Sequence, residues 1–206
     1  MRILLVNYLT NNPKANESVS TLVCQDAPAS MFFINDGNNP ETGSYLKSIL
    51  KNSKVGAVDD HKIYMGYING RSTYLLETSK RLGAATSFNI AASVTQENVD
   101  AYGFSVSNYL FNLGYCSRHV NEMVRCGKSA AYIYCDDTKH KRSFNPYFLS
   151  INDEVGDNCF VEKEFLFKAG GFTENSGVAL FYLLAYRILN SNVLAIHIPE
   201  KLAEKV

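Results

Sequence analysis

The feature that most constrains this chain is the alternation of short apolar runs with amphipathic stretches through its first 58 residues. Residues 3–6 (ILLV) are continuously apolar and read as a buried strand, and NNPKANES then turns into a helix over residues 16–24. Residues 31–34 form a second strand, closed by the turn-forming run Asn35-Asp36-Gly37-Asn38-Asn39-Pro40. Residues 41–51 read as a helix with Tyr45, Leu46, Ile49 and Leu50 on one face, and residues 55–58 as a third strand. Strands joined by helix-length crossovers run parallel, so this β-α-β-α-β order predicts an α/β fold, a mainly parallel twisted sheet flanked by helices.

The rest of the chain continues the pattern less regularly. Residues 63–76 read as two strands turning at Asn69-Gly70, residues 88–92 as a short strand, and residues 105–113 and 118–124 as helices. A strand at 130–134 ends in Cys135-Asp136-Asp137. After a segment at 158–167 and a Gly170-Gly171 turn come a helix over 176–189 and a closing strand over 193–198. No repeat, low-complexity stretch or Pro/Gly-rich linker divides the chain, so residues 1–206 are expected to be a single domain with one core, which 46% hydrophobic residues suffice to build. Twenty basic against twenty acidic residues leave no net charge, which argues against a general nucleic-acid or anionic-membrane binder. No apolar run has the length of a membrane span, and MRILLVNY, without a small-residue cleavage site, reads as a first strand rather than a signal peptide. Five cysteines without a CxxC pair give no zinc pattern and are expected as reduced thiols in a cytoplasmic protein.

In an open parallel sheet, ligands bind at the carboxyl ends of the strands. Here those ends carry Asn7-Tyr8, Asn35-Asp36-Gly37, Asp59-Asp60-His61 and Asp136-Asp137. Acidic strand ends without a Gly-rich phosphate loop fit a phosphate held through a divalent cation with oxygen ligands. The competing use of Asp and Asn, capping helices and making turns, is the commoner one at any single position.

ILLVNYLTNN, LVCQDAPASMFFINDGNNPETGSYLKSI, AYIYCDD, FNPYFLS, DNCFVEKEFLFKAGGFTE and AIHIPEKL, in order along nearly the whole chain, resemble segments of family-2 glycosyltransferases of the GT-A fold. ILLVNYLTNN is similar to that family's first strand, and LVCQDAPASMFFINDGNNPETGSYLKSI to its second strand with the "DDGS" turn, where Asn35-Asp36-Gly37-Asn38 stand. AYIYCDD with FNPYFLS, DNCFVEKEFLFKAGGFTE and AIHIPEKL resemble later family segments, the GGF turn being the most specific. The resemblance implies a transfer of sugar from a nucleotide-diphosphate sugar, uridine more than guanosine, to a glycan or other hydroxyl acceptor. It assigns the nucleobase to Asn7 and Tyr8 and the base or ribose to Asp36, with Asp59 and Asp60 expected beside them.

Two family features are displaced or absent. The metal-binding D-x-D is expected to end the strand at residues 88–92, yet that stretch reads NIAASVTQ, with no acid before Glu97. The usual base opens the helix after GGF, which here reads Asn175-Ser176-Gly177-Val178-Ala179-Leu180-Phe181, so Glu174 is the nearest carboxylate. A departing diphosphate needs positive charge, usually Mg²⁺ or Mn²⁺ held by carboxylates, and an acceptor hydroxyl needs a base. Asp136 with Asp137, or Asp59 with Asp60, could hold a metal. The basic run Lys139-His140-Lys141-Arg142 offers a metal-independent route. The alternative is a GT-A-like binding module without catalysis. A second alternative is a cysteine peptidase of the adenovirus and SUMO-protease type, with His61, Glu77 and serine in place of cysteine at Ser176.

Overall fold

β1 (Ile3–Tyr8) is buried along its whole length, as its apolar run requires of a strand covered on both faces. It pairs in parallel with β2 (Ser30–Asn35) on one side and with β6 (Ala101–Val106) on the other. The computed structural model describes residues 1–37, 39–127, 130–137, 156–174, 180–189 and 193–206. Between β1 and β6 the chain adds α1 (Ala15–Val23), α2 (Pro40–Ile49), the meander β3 (Lys51–Val58), β4 (His61–Ile68) and β5 (Arg71–Glu77), and α3 (Ala84–Thr95). After β6 come β7 (Tyr109–Phe111), α4 (Tyr115–Cys126), β8 (Ala130–Asp136), β9 (Asn158–Glu162), α5 (Lys163–Lys168), α6 (Leu180–Leu189), β10 (Leu194–Lys201) and β11 (Ala203–Lys205).

Among the described residues the main sheet has nine strands in the order β10-β8-β9-β6-β1-β2-β5-β4-β3, and β7 with β11 forms a small antiparallel pair. Of these nine strands, β4 and β9 run against the direction of the others. Each face of the sheet carries a core. On one, α3, α5 and α6 pack through Phe88, Leu166, Phe181 and Leu184 on Leu4, Val6, Phe32 and Phe104. On the other, α1, α2 and α4 pack through Val19, Leu22, Leu46 and Met123 on Leu5, Phe33 and Phe160. The α/β fold with a mostly parallel sheet flanked by helices is therefore as the sequence predicts.

Three local expectations are corrected. The third strand has the predicted direction but the wrong place: β3 is the far edge of an antiparallel meander, and β5 takes the position beside β2. Residues 88–92 are helical, within α3, because Ala85, Phe88, Ala91, Ala92 and Thr95 recur at the helical period and are all buried. Residues 105–113 are not a helix but the end of β6, a turn and β7. The predicted hairpin at Asn69-Gly70 joins β4 to β5, with both turn residues at positive φ, 50° and 76°.

Candidate functional site

The carboxyl ends of β1, β2 and β6 meet where strand order reverses, the place where open α/β sheets take their ligands, because the chain leaves β1 toward β2 and later returns to its other side as β6. Asp36, immediately after β2, is fully buried there, and four groups donate to its carboxylate. They are the Tyr8 hydroxyl at 3.0 Å, the Thr78 hydroxyl at 2.7 Å, the Leu82 N–H at 2.8 and 3.0 Å to the two oxygens, and the Gly83 N–H at 2.7 Å. A carboxylate offers about four lone-pair positions, so this one is filled from within the protein. Asp36 thereby ties the loop 78–83 and the start of α3 to the end of β2. The exposed Lys80 and Arg81 ride on that loop.

Tyr8 and Asp36, expected together, are in direct contact, but Asn7 is not with them. Successive strand residues face opposite ways, so Tyr8 lies in the α3-side core and Asn7 turns to the other face. Asn7 is fully buried and donates through Nδ2 to the Ser105 hydroxyl at 2.9 Å. The ring of Tyr8 packs edge-on against Phe88 of α3, centroids 6.1 Å apart. Asp59 and Asp60 form the exposed turn between β3 and β4. β4 and β3, which this turn joins, lie two and three strand spacings from β2, about 10 and 14 Å.

A second loop reaches the same edge from β9 and α5. Gly170 and Gly171 both have positive φ, 78° and 69°, and the chain then passes through the buried Phe172. Asn89 of α3 grips that backbone with both ends of its amide: Phe172 N–H donates to Oδ1 and Nδ2 donates to Phe172 O, each at 2.8 Å. The Arg187 guanidinium of α6 donates to Gly171 O. Two residues on, Glu174 is exposed, and its Oε1 accepts from the Thr86 hydroxyl of α3 at 3.0 Å. Asn89 and Thr86 carry no sequence signal of their own. Only the helical reading of residues 84–95 would have placed both on the side of α3 that meets this loop.

The cation that the family resemblance implies finds no fitting donor set among the described residues. With residues 88–92 helical, the strand beside β1 is β6, and its end reads Ser105-Val106-Ser107-Asn108, again without a carboxylate. Asp136, at the end of β8, is buried and lies 2.7 Å from His197 Nε2, whose ring stacks on Tyr134. Asp137 accepts from Tyr109 at 3.4 Å. No group of three or more His, Cys, Asp or Glu side chains able to hold a metal occurs among the described residues. The peptidase arrangement is not formed either, because the Glu77 carboxylate pairs with Lys47 at 2.9 Å while His61 Nδ1 faces the Ser79 N–H at 3.4 Å. Asn38, Lys139-His140-Lys141-Arg142 and Asn175-Ser176-Gly177-Val178 lie outside the described residues.

No family model and no curated protein matches this chain. Solved structures do. The 1–349 fragment of S. aureus TarS in complex with UDP-GlcNAc superposes with a TM-score of 0.70 at 11% identity, over 99% of this chain and 58% of the fragment. A second structure of S. aureus TarS 1–349 matches with a TM-score of 0.70 at 10% identity, over 100% of this chain and 60% of the fragment. Full TarS matches equally well at 10% identity, with 37% of its length covered. This chain thus spans less than two thirds of the proteins it resembles. At such identity the likeness establishes a shared GT-A-like fold. No helix among the described residues is long and apolar enough to cross a membrane.

Proposed function

We propose that this chain is a nucleotide-sugar-binding GT-A domain that transfers a sugar from a UDP-sugar to a hydroxyl acceptor on a glycan. The observation that carries the reading is the convergence, at the reversal point of a GT-A-like sheet, of the Asp36-anchored loop 78–83 and the Glu174 loop. Asp36 and Tyr8 act as the foundation of the nucleotide site, and direct contact falls to the loop they hold. Lys80 and Arg81 on that loop supply positive charge toward the diphosphate, a metal-independent arrangement in keeping with the carboxylate-free end of β6. Glu174 is the carboxylate at this edge suited to take the proton of an acceptor hydroxyl.

One observation favours a second reading, a GT-A-like binding module without turnover. Both carboxylates of the expected D-x-D are missing from β6, and fold alone does not bring activity. Calorimetric titration of the full chain with UDP, GDP and CMP, with and without Mn²⁺, tests the shared premise, and UDP-GlcNAc hydrolysis separates the two readings. Binding of UDP in preference to GDP and CMP is expected. Absence of binding by all three would remove the nucleotide reading altogether.

A further inference from the structure

We infer that Asn89 is a positioning residue that fixes Glu174 over the first turn of α3. The argument begins with the geometry of the loop. Residues 170–174 have no sheet partner, and the Gly170-Gly171 pair, both in the left-handed region, closes the end of α5 by donating to Phe167 O and Leu166 O at 3.0 and 2.9 Å. Beyond that cap, where Arg187 also donates to Gly171 O, the path is held by the Asn89 amide, which satisfies the N–H and the C=O of Phe172 together, each at 2.8 Å. Gly171 passes so close that a Cβ there would lie 2.5 Å from Asn89 Oδ1. The Phe172 ring is locked in the same place by Phe88, Phe104 and Phe181, with centroids 5.0, 4.8 and 5.7 Å away. The loop therefore leaves Phe172 in one direction, and Glu174 arrives two residues later beside the start of α3.

There it meets a second constraint. Thr86 donates to Glu174 Oε1 at 3.0 Å, and a Cβ at Gly83 would stand 2.8 Å from that same oxygen. The bare Gly83 backbone makes room for the carboxylate, and the Gly83 N–H is itself held by Asp36. One run of contacts thus joins the buried acid after β2 to the exposed acid after Phe172 through the first two turns of α3. Asn89 sits at the far end of that run, one turn along α3 from Thr86, with its amide engaged by the Phe172 backbone. Its effect on Glu174 is exerted through the backbone of residues 172–174.

For its chemical consequence the inference rests on the transferase reading, but the clamp itself does not. Two measurements on the full chain keep them apart. In amide hydrogen exchange, Asn89→Leu should strip protection from the Phe172 N–H by at least about tenfold, while the amides of β1 and β6 stay protected. Asn89→Asp keeps the shape and the acceptor for that N–H, so Phe172 protection should survive, and it guards against a misfolded leucine variant. In UDP-GlcNAc hydrolysis, Asn89→Leu and Thr86→Val should each lower kcat by about tenfold with KM for the donor unchanged, the split expected when a reacting group is misplaced rather than binding lost. Thr86→Val should do so without touching Phe172 exchange. Unaltered Phe172 protection in Asn89→Leu, or parental kcat in both variants, would overturn the inference. A parent chain with no turnover would remove the transferase reading and leave the exchange result alone to decide the clamp.

Discussion

Asp36 shows how a residue can be legible in the sequence by place and yet not by role. An acid after the second strand is what the "DDGS" resemblance and the strand-end rule both select, and it does lie at the reversal point against Tyr8. Its carboxylate, however, is consumed by four internal donors, which no local pattern announces. Truncating it leaves two backbone N–H groups and two hydroxyls without an acceptor in a buried setting. Asp36→Ala should therefore cost about 3 kcal/mol of unfolding free energy, read from urea denaturation, and weaken UDP binding through the loop 78–83. Asp36→Asn, which keeps one acceptor oxygen, should lose less. The cysteines give a second residue-scale expectation. Burial disfavours the charged thiolate, and it pushes the Cys116 thiol up to about 12. The reactive form at pH 8 is then only about one part in 10⁴. Cys24 is exposed and Cys126 half-buried, whereas Cys116, Cys135 and Cys159 are buried. Ellman's reagent at pH 8 should modify Cys24 first and Cys126 more slowly, with the other three reacting only on unfolding. Rapid modification of Cys116 in the native protein would contradict this packing.

At the scale of elements, the turn before Phe172 is the place where a single methyl should be felt most. Gly171 has φ 69°, and a Cβ there would press on Asn89 Oδ1. Gly171→Ala should thus cost about 1–2 kcal/mol, measured as a lowered Tm, and part of that cost should vanish when Asn89 is first shortened to Ser. Elements with a clean period were legible from the sequence: β1 by its apolar run, α2 by its face, and the β4–β5 hairpin by Asn69-Gly70. The misreadings have physical causes. Residues 88–92 taken alone, four apolar residues around Asn89, fit a short strand as well as a helix. The helical period becomes visible only across Ala85 to Thr95. β3 is largely exposed, so periodicity revealed only its last four residues, and nothing local says that a hairpin will be inserted between it and β2. That insertion is what sets the Asp59-Asp60 turn two to three strand spacings from β2. Asn89 and Thr86 were missed for the same reason as α3 itself.

The sheet order is a property of the whole molecule, and it frames the expectation about a metal. A GT-A-like sheet presents at its reversal point the ends of β1, β2 and β6. In this chain they offer Tyr8 and Asp36, already bonded to each other, and Ser105 to Asn108. Hard divalent cations bind through several oxygen ligands, usually with carboxylates among them, and seryl and amide side chains alone hold them poorly. The nearest acid in strand order is Asp157, just before β9 and level with the end of β6, which pairs with Lys205 at 3.3 Å, whereas Asp136 and Asp137 lie two strands beyond β6 and are bonded to His197 and Tyr109. UDP binding to the full chain should accordingly have the same Kd in EDTA as in Mn²⁺, within about twofold. It should weaken as salt rises, because Lys80 and Arg81 act as exposed charges. Substituting both by Ala should weaken UDP binding more than uridine binding, since only the former carries the diphosphate. Tightening by Mn²⁺ of about tenfold or more, abolished in Asp137→Asn, would instead show that the end of β8 supplies the cation site and that the charge on the loop 78–83 is incidental.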